Sequence, residues 1–166
     1  MRTLSTIGYE GAQIDAFVYT LGAADVELVI DVRDVASSRR PGFSKTALQN
    51  HLALAGIGYV HLRNLGDPKE GRDAARRGDY SAFEHIFRAH LASDPAQLHL
   101  REAARIASDA SAVLLCYERD PKHCHRTIVA KEMAEQSPFA IRHLGVQSER
   151  RIVVAKAIEG EFVRVR

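Results

Sequence analysis

Ala112-Val113-Leu114-Leu115-Cys116-Tyr117-Glu118-Arg119-Asp120-Pro121-Lys122-His123-Cys124-His125-Arg126 decides the fold class of this chain. The apolar run from Ala112 to Leu115 reads as a strand buried on both faces, the mark of a parallel sheet. It ends in a thiol and an acid, crosses a short polar loop and meets Cys124-His125-Arg126, where a helix is expected to begin. Strand ends that feed helix starts are where α/β proteins hold ligands. The crevice opens there, and the first N–H groups of the helix lack partners.

The same alternation recurs on both sides of this stretch. Thr3 to Ile7 is short, rich in β-branched residues and bounded by Gly8, as a first strand would be. Ile14, Phe17, Val18 and Leu21 share one helical face. Glu27 to Val32 is a second apolar strand, and Ser44 can cap a helix carrying Leu48, Leu52 and Ala55. Gly58 to Leu62 follows as a third strand. Tyr80 to Leu91 and a segment opened by Asp94-Pro95 and running to about Ser108 are helices, with Asp94 as the expected cap. Phe139 to Leu144 is the last strand. The pattern predicts an α/β fold, a three-layer α/β/α domain with a mainly parallel, Rossmann-like sheet over residues 1–146. Gly66 to Asp79 reads as a charged, glycine-punctuated loop long enough to be a lid. Residues 147–166 form a C-terminal extension, broken at Gly160, expected to pack on the domain or at a dimer contact.

Composition excludes several classes. A net charge of +2 rules out a broad electrostatic footprint for nucleic acid, so any such binding needs a local patch such as Arg72, Arg76 and Arg77. Two cysteines are too few for a secreted disulfide scaffold. The first residues contain no signal-like apolar region, and no stretch is long enough to span a bilayer. A cytoplasmic protein with no membrane partner is expected. The residues name no cofactor.

In a parallel sheet every strand-to-helix loop leaves on one side, so the residues after each strand should gather. Tyr9 and Glu10 follow the first strand, Asp31-Val32-Arg33 and Arg39 the second, and His61 and Asn64-Leu65-Gly66-Asp67 the third. Cys116, Glu118, Arg119, Cys124, His125 and Arg126 follow the fourth. Arg33, Arg39, Arg119 and Arg126, with His125, are the expected anion-binding set, because guanidinium makes paired hydrogen bonds to phosphate or carboxylate. Alternatively, each arginine pairs with Glu10, Asp31, Glu118 or Asp120 and merely pins a loop. Glu118 and Glu10 are candidate acids or bases. Tyr9 is placed to stack on a base. Cys116, closing an apolar strand, reads as an inert buried thiol. Cys124, beside His125 at a helix start, is the thiol expected to react. No metal site is expected: the cysteines are not a C-x-x-C pair, and the neighbours Cys124 and His125 are not expected to face one ion.

Thr6-Ile7-Gly8-Tyr9-Glu10-Gly11, Asp31-Val32-Arg33, Ser38-Arg39, Gly42-Phe43-Ser44-Lys45, Tyr59-Val60-His61-Leu62 with Leu65-Gly66, and Cys116-Tyr117-Glu118 with Cys124-His125-Arg126 together resemble the domain of unknown function 488 family. The resemblance runs from about residue 3 to 145 and implies a three-layer α/β domain. It carries over no catalytic role. Three functions compete on the residues themselves. The first is an enzyme acting on a phosphate-bearing substrate, a nucleotide or nucleic acid. The second is a thiol-dependent, rhodanese-like enzyme, although neither cysteine starts a C-x5-R loop, since positions 122 and 130 are Lys and Ala. The third is a non-catalytic module that binds nucleotide or nucleic acid.

Overall fold

Every residue of the fourth strand is buried, and the rest of the sheet is built around it. The computed structural model describes residues 1–147. Its strands are β1 (Arg2–Gly8), β2 (Leu28–Asp31), β3 (Gly58–His61), β4 (Ala112–Cys116) and β5 (Phe139–Leu144). They form one parallel sheet in the order β3-β2-β4-β1-β5. Six helices complete the described chain: α1 (Ile14–Ala23), α2 (Lys45–Leu54), α3 (Lys69–Arg76), α4 (Tyr80–Leu91), α5 (Asp94–Asp109) and α6 (His125–Gln136). The α/β architecture expected from the alternating apolar runs is the one observed.

Side chains alternate across the strands and divide the core in two. Val113 and Leu115 of β4 pack with Ile7, Val29, Phe17, Leu21, Leu48 and Leu52, so α1 and α2 cover that face. Leu114 and Cys116 point the other way, toward Phe83, Phe87, Leu100, Val129 and Met133 of α4, α5 and α6. The chain leaving β1 and β2 thus turns to one face, and the chain leaving β4 turns to the other. A crevice opens between connections that part in this way, at the carboxyl ends of the central strands. Gly8 pairs with Cys116 at this edge. A Cβ at Gly8 would strike the carbonyl of Glu118, so only glycine lets β1 lie this close to the chain beyond Cys116.

Two expectations need correction. The segment 66–79 is not an open lid, because most of it folds as α3 with Gly71 and Ala74 buried. Its charges hid the helix: Lys69–Asp73 (2.7 Å) and Arg76–Asp73 (3.3 Å) are solvent-side pairs at helical spacing. The cap of α5 is Ser93, and Asp94 is the first helical residue. Ser44 does occupy the N-cap of α2, but its hydroxyl bonds the backbone of Ser38 instead of the helix. Of the C-terminal extension only Gln147 lies within the described residues, its N–H donating to Thr20 Oγ1 (2.9 Å). The packing or dimer role expected for 147–166, and the break at Gly160, otherwise fall outside them.

Candidate functional site: a thiol, imidazole and carboxylate cluster

The carboxyl edge of β4 opens into a cleft of about 680 Å³. Its lining includes Tyr9, Arg33, Asp67, Arg72, Tyr80, Tyr117, Glu118, His123 and His125. At its floor four side chains converge. Cys116 and Cys124 are buried free thiols whose Sγ atoms lie 3.1 and 3.2 Å from the same oxygen, Oε2 of Glu118. His125 Nδ1 lies 4.0 Å from Cys124 Sγ. The local fold makes this possible. Asp120 accepts from Lys122 N–H and starts a 3-10 turn over Pro121–His123, which brings Cys124 back beneath Glu118 as the N-cap of α6.

Each member has a fixed orientation. His125 Nε2 bonds the carbonyl of Val32 (2.8 Å), so this nitrogen carries the proton and Nδ1 faces Cys124. Arg126 is fully buried. Its Nε donates to Thr6 Oγ1 (3.2 Å), Nη1 to Cys116 Sγ (3.0 Å) and to the carbonyl of Glu118, and Nη2 to the carbonyl of Arg119 (3.3 Å). Burial alone would raise the Cys124 pKa, but the Cys116 hydrogen bond and the His125 charge reverse this and bring it to about 6. Burial would depress His125, yet Cys124 and Glu118 lift it to about 9. Burial opposes ionisation of Glu118 as well, and the His125 charge and thiol hydrogen bonds outweigh it. Burial, joined by the Cys124 hydrogen bond and the Cys124 and Glu118 charges, drives the Cys116 thiol well up against the opposing Arg126.

The expected arginine cluster does not form. Arg33 is spent on Asp31, with Nε and Nη2 on its carboxylate (2.9 and 2.7 Å) and Nη1 on Tyr9 Oη (3.2 Å) and the Phe43 carbonyl (2.8 Å). Pairing with Asp31, the alternative weighed from the sequence, is the arrangement found. Arg126 is likewise consumed inside the protein, by carbonyls and a sulfur. Arg39 is exposed and does not line the cleft. Arg119 lines a separate hollow of about 310 Å³ together with Glu10. Glu10 accepts the Arg119 N–H (3.0 Å) and ties two loops together. Tyr9 has no free ring face for a base, since it is buried and stacked on Phe43 (4.5 Å between centroids). Contrary to expectation, the neighbours Cys124 and His125 do face one point: the ligand atoms of Cys116, Glu118, Cys124 and His125 all lie within 4.8 Å of one another.

Asp67 was no sequence candidate, although it lies in the loop after the third strand. It is buried, lines the cleft, and its Oδ1 has no hydrogen-bond partner among the described residues. A Cβ at Gly71 would collide with this oxygen, so the helix fits around it only as glycine. Burial is the main cause that raises its pKa, to about 7, with Glu118 and Cys124 adding and His125 and Arg72 opposing. The folded protein therefore binds this proton more tightly than the unfolded chain, and Asp67 costs stability as pH rises from about 4 through 7. In chelator-treated buffer at pH 8 the Asp67→Asn variant should be more stable than wild type by up to about 4 kcal/mol, and the gain should vanish at pH 4. Urea midpoints at the two pH values check this; equal midpoints at pH 8 refute it.

Fold and site together define a parallel α/β protein with a buried thiol–imidazole–carboxylate centre at the carboxyl edge of its middle strand. Residues 13–133 match the family described as Domain of unknown function DUF488, and the chain belongs to it. No curated protein and no solved structure matches the chain. Among the described residues, no helix is long and apolar enough to cross a membrane.

Proposed function

We propose that this protein is an enzyme that takes a nucleobase-bearing substrate, a nucleotide or single-stranded nucleic acid, into the cleft and transforms it at the Cys116–Glu118–Cys124–His125 cluster. One observation carries the reading: exposed aromatic surface concentrates at the mouth of the cleft that ends on this cluster. Tyr80 and Tyr117 are exposed there, and Tyr80 stacks on His123 (3.8 Å between centroids). Tyr117 meets Tyr9 at 5.3 Å with the two rings nearly perpendicular, and about half of it stays exposed. Flat rings of this kind bind bases by stacking without needing a particular base. The cations of the cleft are already paired, Arg33 with Asp31, Arg72 with Asp34 and Arg76 with Asp73. Ring stacking, rather than a phosphate grip, therefore dominates recognition.

The same geometry weighs against a rhodanese-like mechanism. Neither sulfur lines the cleft; Glu118 and His125 stand in front of them. Calorimetric titration with nucleosides, nucleotides and short oligonucleotides tests the reading, and the small and polymeric ligands separate the two substrate forms. Tyr117→Ala should weaken the best ligand about 10- to 100-fold, since a base stack is worth about 1–3 kcal/mol. Its melting temperature should not change, because the ring is exposed. If no nucleobase-bearing compound binds, the proposal fails.

A further inference from the structure

The geometry points to a zinc site at the floor of the cleft, with Cys116, Cys124 and His125 as ligands and Glu118 in the fourth position. The inference deepens the proposed function and rests on the reading of this cluster as the reaction centre. A tetrahedral zinc with bonds of about 2.0–2.3 Å keeps its ligand atoms about 3.3–3.8 Å apart. Here the sulfur-to-carboxylate distances are 3.1 and 3.2 Å and the sulfur-to-imidazole distance is 4.0 Å. These three lie within a few tenths of an ångström of the required spacing and all six separations lie within 4.8 Å, so shifts of at most about 1 Å would close the four around one ion.

The donors match a borderline-soft ion that prefers four ligands: two sulfurs, one nitrogen, one oxygen. The outer contacts match as well. A metal-bound imidazole normally donates its other N–H to a carbonyl or carboxylate, and His125 Nε2 does so to Val32. Arg126 Nη1 points at Cys116 Sγ, where a guanidinium supports a thiolate. Charge balances too. Two thiolates and a carboxylate carry three negative charges, which zinc and Arg126 cancel in a place with little water. The orphaned oxygen of Asp67, buried in the wall of the same cleft, is a second sign that the site lacks a component. Of the proposed ligands, Glu118 and His125 reach the cleft and the cysteines do not. The ion would therefore sit directly behind Glu118 and His125 as seen from the cleft. In hydrolytic deaminases a zinc held by two cysteines and one histidine keeps its fourth position for water, with a nearby glutamate that is not a ligand. The present site reaches that arrangement when water displaces Glu118 from the ion. The displaced Glu118 carboxylate would take the proton of that water and pass it to the departing amine, so hydrolysis of an exocyclic amine, with water consumed and ammonia released, is the reaction class this site suits.

Elemental analysis of the full-length protein, purified without chelator, should find about one zinc per chain. Zinc added to the chelator-stripped protein should bind with a dissociation constant below about 1 µM and raise Tm. Cys116→Ser and Cys124→Ser should each weaken zinc at least 100-fold, whereas Cys→Ser changes that merely loosened the core would lower Tm and leave zinc affinity intact. Cobalt(II) in place of zinc gives a second reading on wild-type protein alone: a tetrahedral thiolate site produces sulfur-to-cobalt charge-transfer absorption. Absence of that absorption, or zinc binding weaker than about 100 µM, overturns the inference. The two proposals fail separately. Nucleobase binding without zinc removes only the metal, and zinc binding without any nucleobase ligand removes only the substrate class.

Discussion

Replacing Asp31 by alanine is expected to lower the unfolding free energy by about 3–5 kcal/mol, the range for stranding one partner of a buried ion pair. Asp31 is fully buried at the end of β2. It accepts from Arg33 Nε and Nη2, from the Arg33 N–H (3.1 Å) and from Tyr59 Oη (2.6 Å). Without it, Arg33 remains a cation with no counter-charge inside the protein, and Tyr59 loses its acceptor. Replacing both ion-pair partners with apolar residues, Asp31→Leu with Arg33→Met, should recover most of the loss, because desolvating the pair costs nearly what its attraction returns. Urea denaturation of the single and double variants checks this. A double variant as unstable as Asp31→Ala would show that the pair holds the loop geometry as well as the charge.

Arg126→Ala is expected to be nearly as damaging, at about 3–5 kcal/mol and a Tm drop of roughly 10–15 °C. The change removes the cation that faces the Cys116 and Cys124 sulfurs. Further cost comes from a cavity at the largest fully buried side chain and from carbonyls of Glu118 and Arg119 left without their donor. Arg126→Lys should recover only part, since one ammonium cannot reach all the acceptors that the fork serves. Thermal denaturation gives the answer. A variant with unchanged Tm that loses phosphate-ligand binding would restore the anion-gripping role that the bare sequence suggested.

These expectations reverse a sequence-based one, and the reason is physical. The order of strands and helices was legible because buried parallel strands are continuous apolar runs, as in Val29-Ile30 and Val113-Leu114-Leu115. The location of the site was legible too, since parallel connections must gather after β4. The partners of each side chain were not. Nothing in the letters shows that the donors of Arg33 close on Asp31, Tyr9 and Phe43. Nor do they show that a 3-10 turn folds Cys124 and His125 back onto the thiol eight residues upstream. Asp67 carried no motif, and its missing partner exists only in three dimensions. The helix α3 was hidden by its own composition, with Gly71 where a helix former belongs and charges on its solvent side.

The position of β1 in the sheet sets a schedule for the ribosome. This strand is made first, yet its two neighbours are β4 and β5, the last strands of the described chain. At about 5–20 residues per second, the nascent β1 waits roughly 5–20 seconds for β4, with Leu4 and Ile7 uncovered. The middle of the sheet cannot close until the chain has been made as far as Cys116. Products truncated before β4 therefore leave an apolar strand without either of its neighbours.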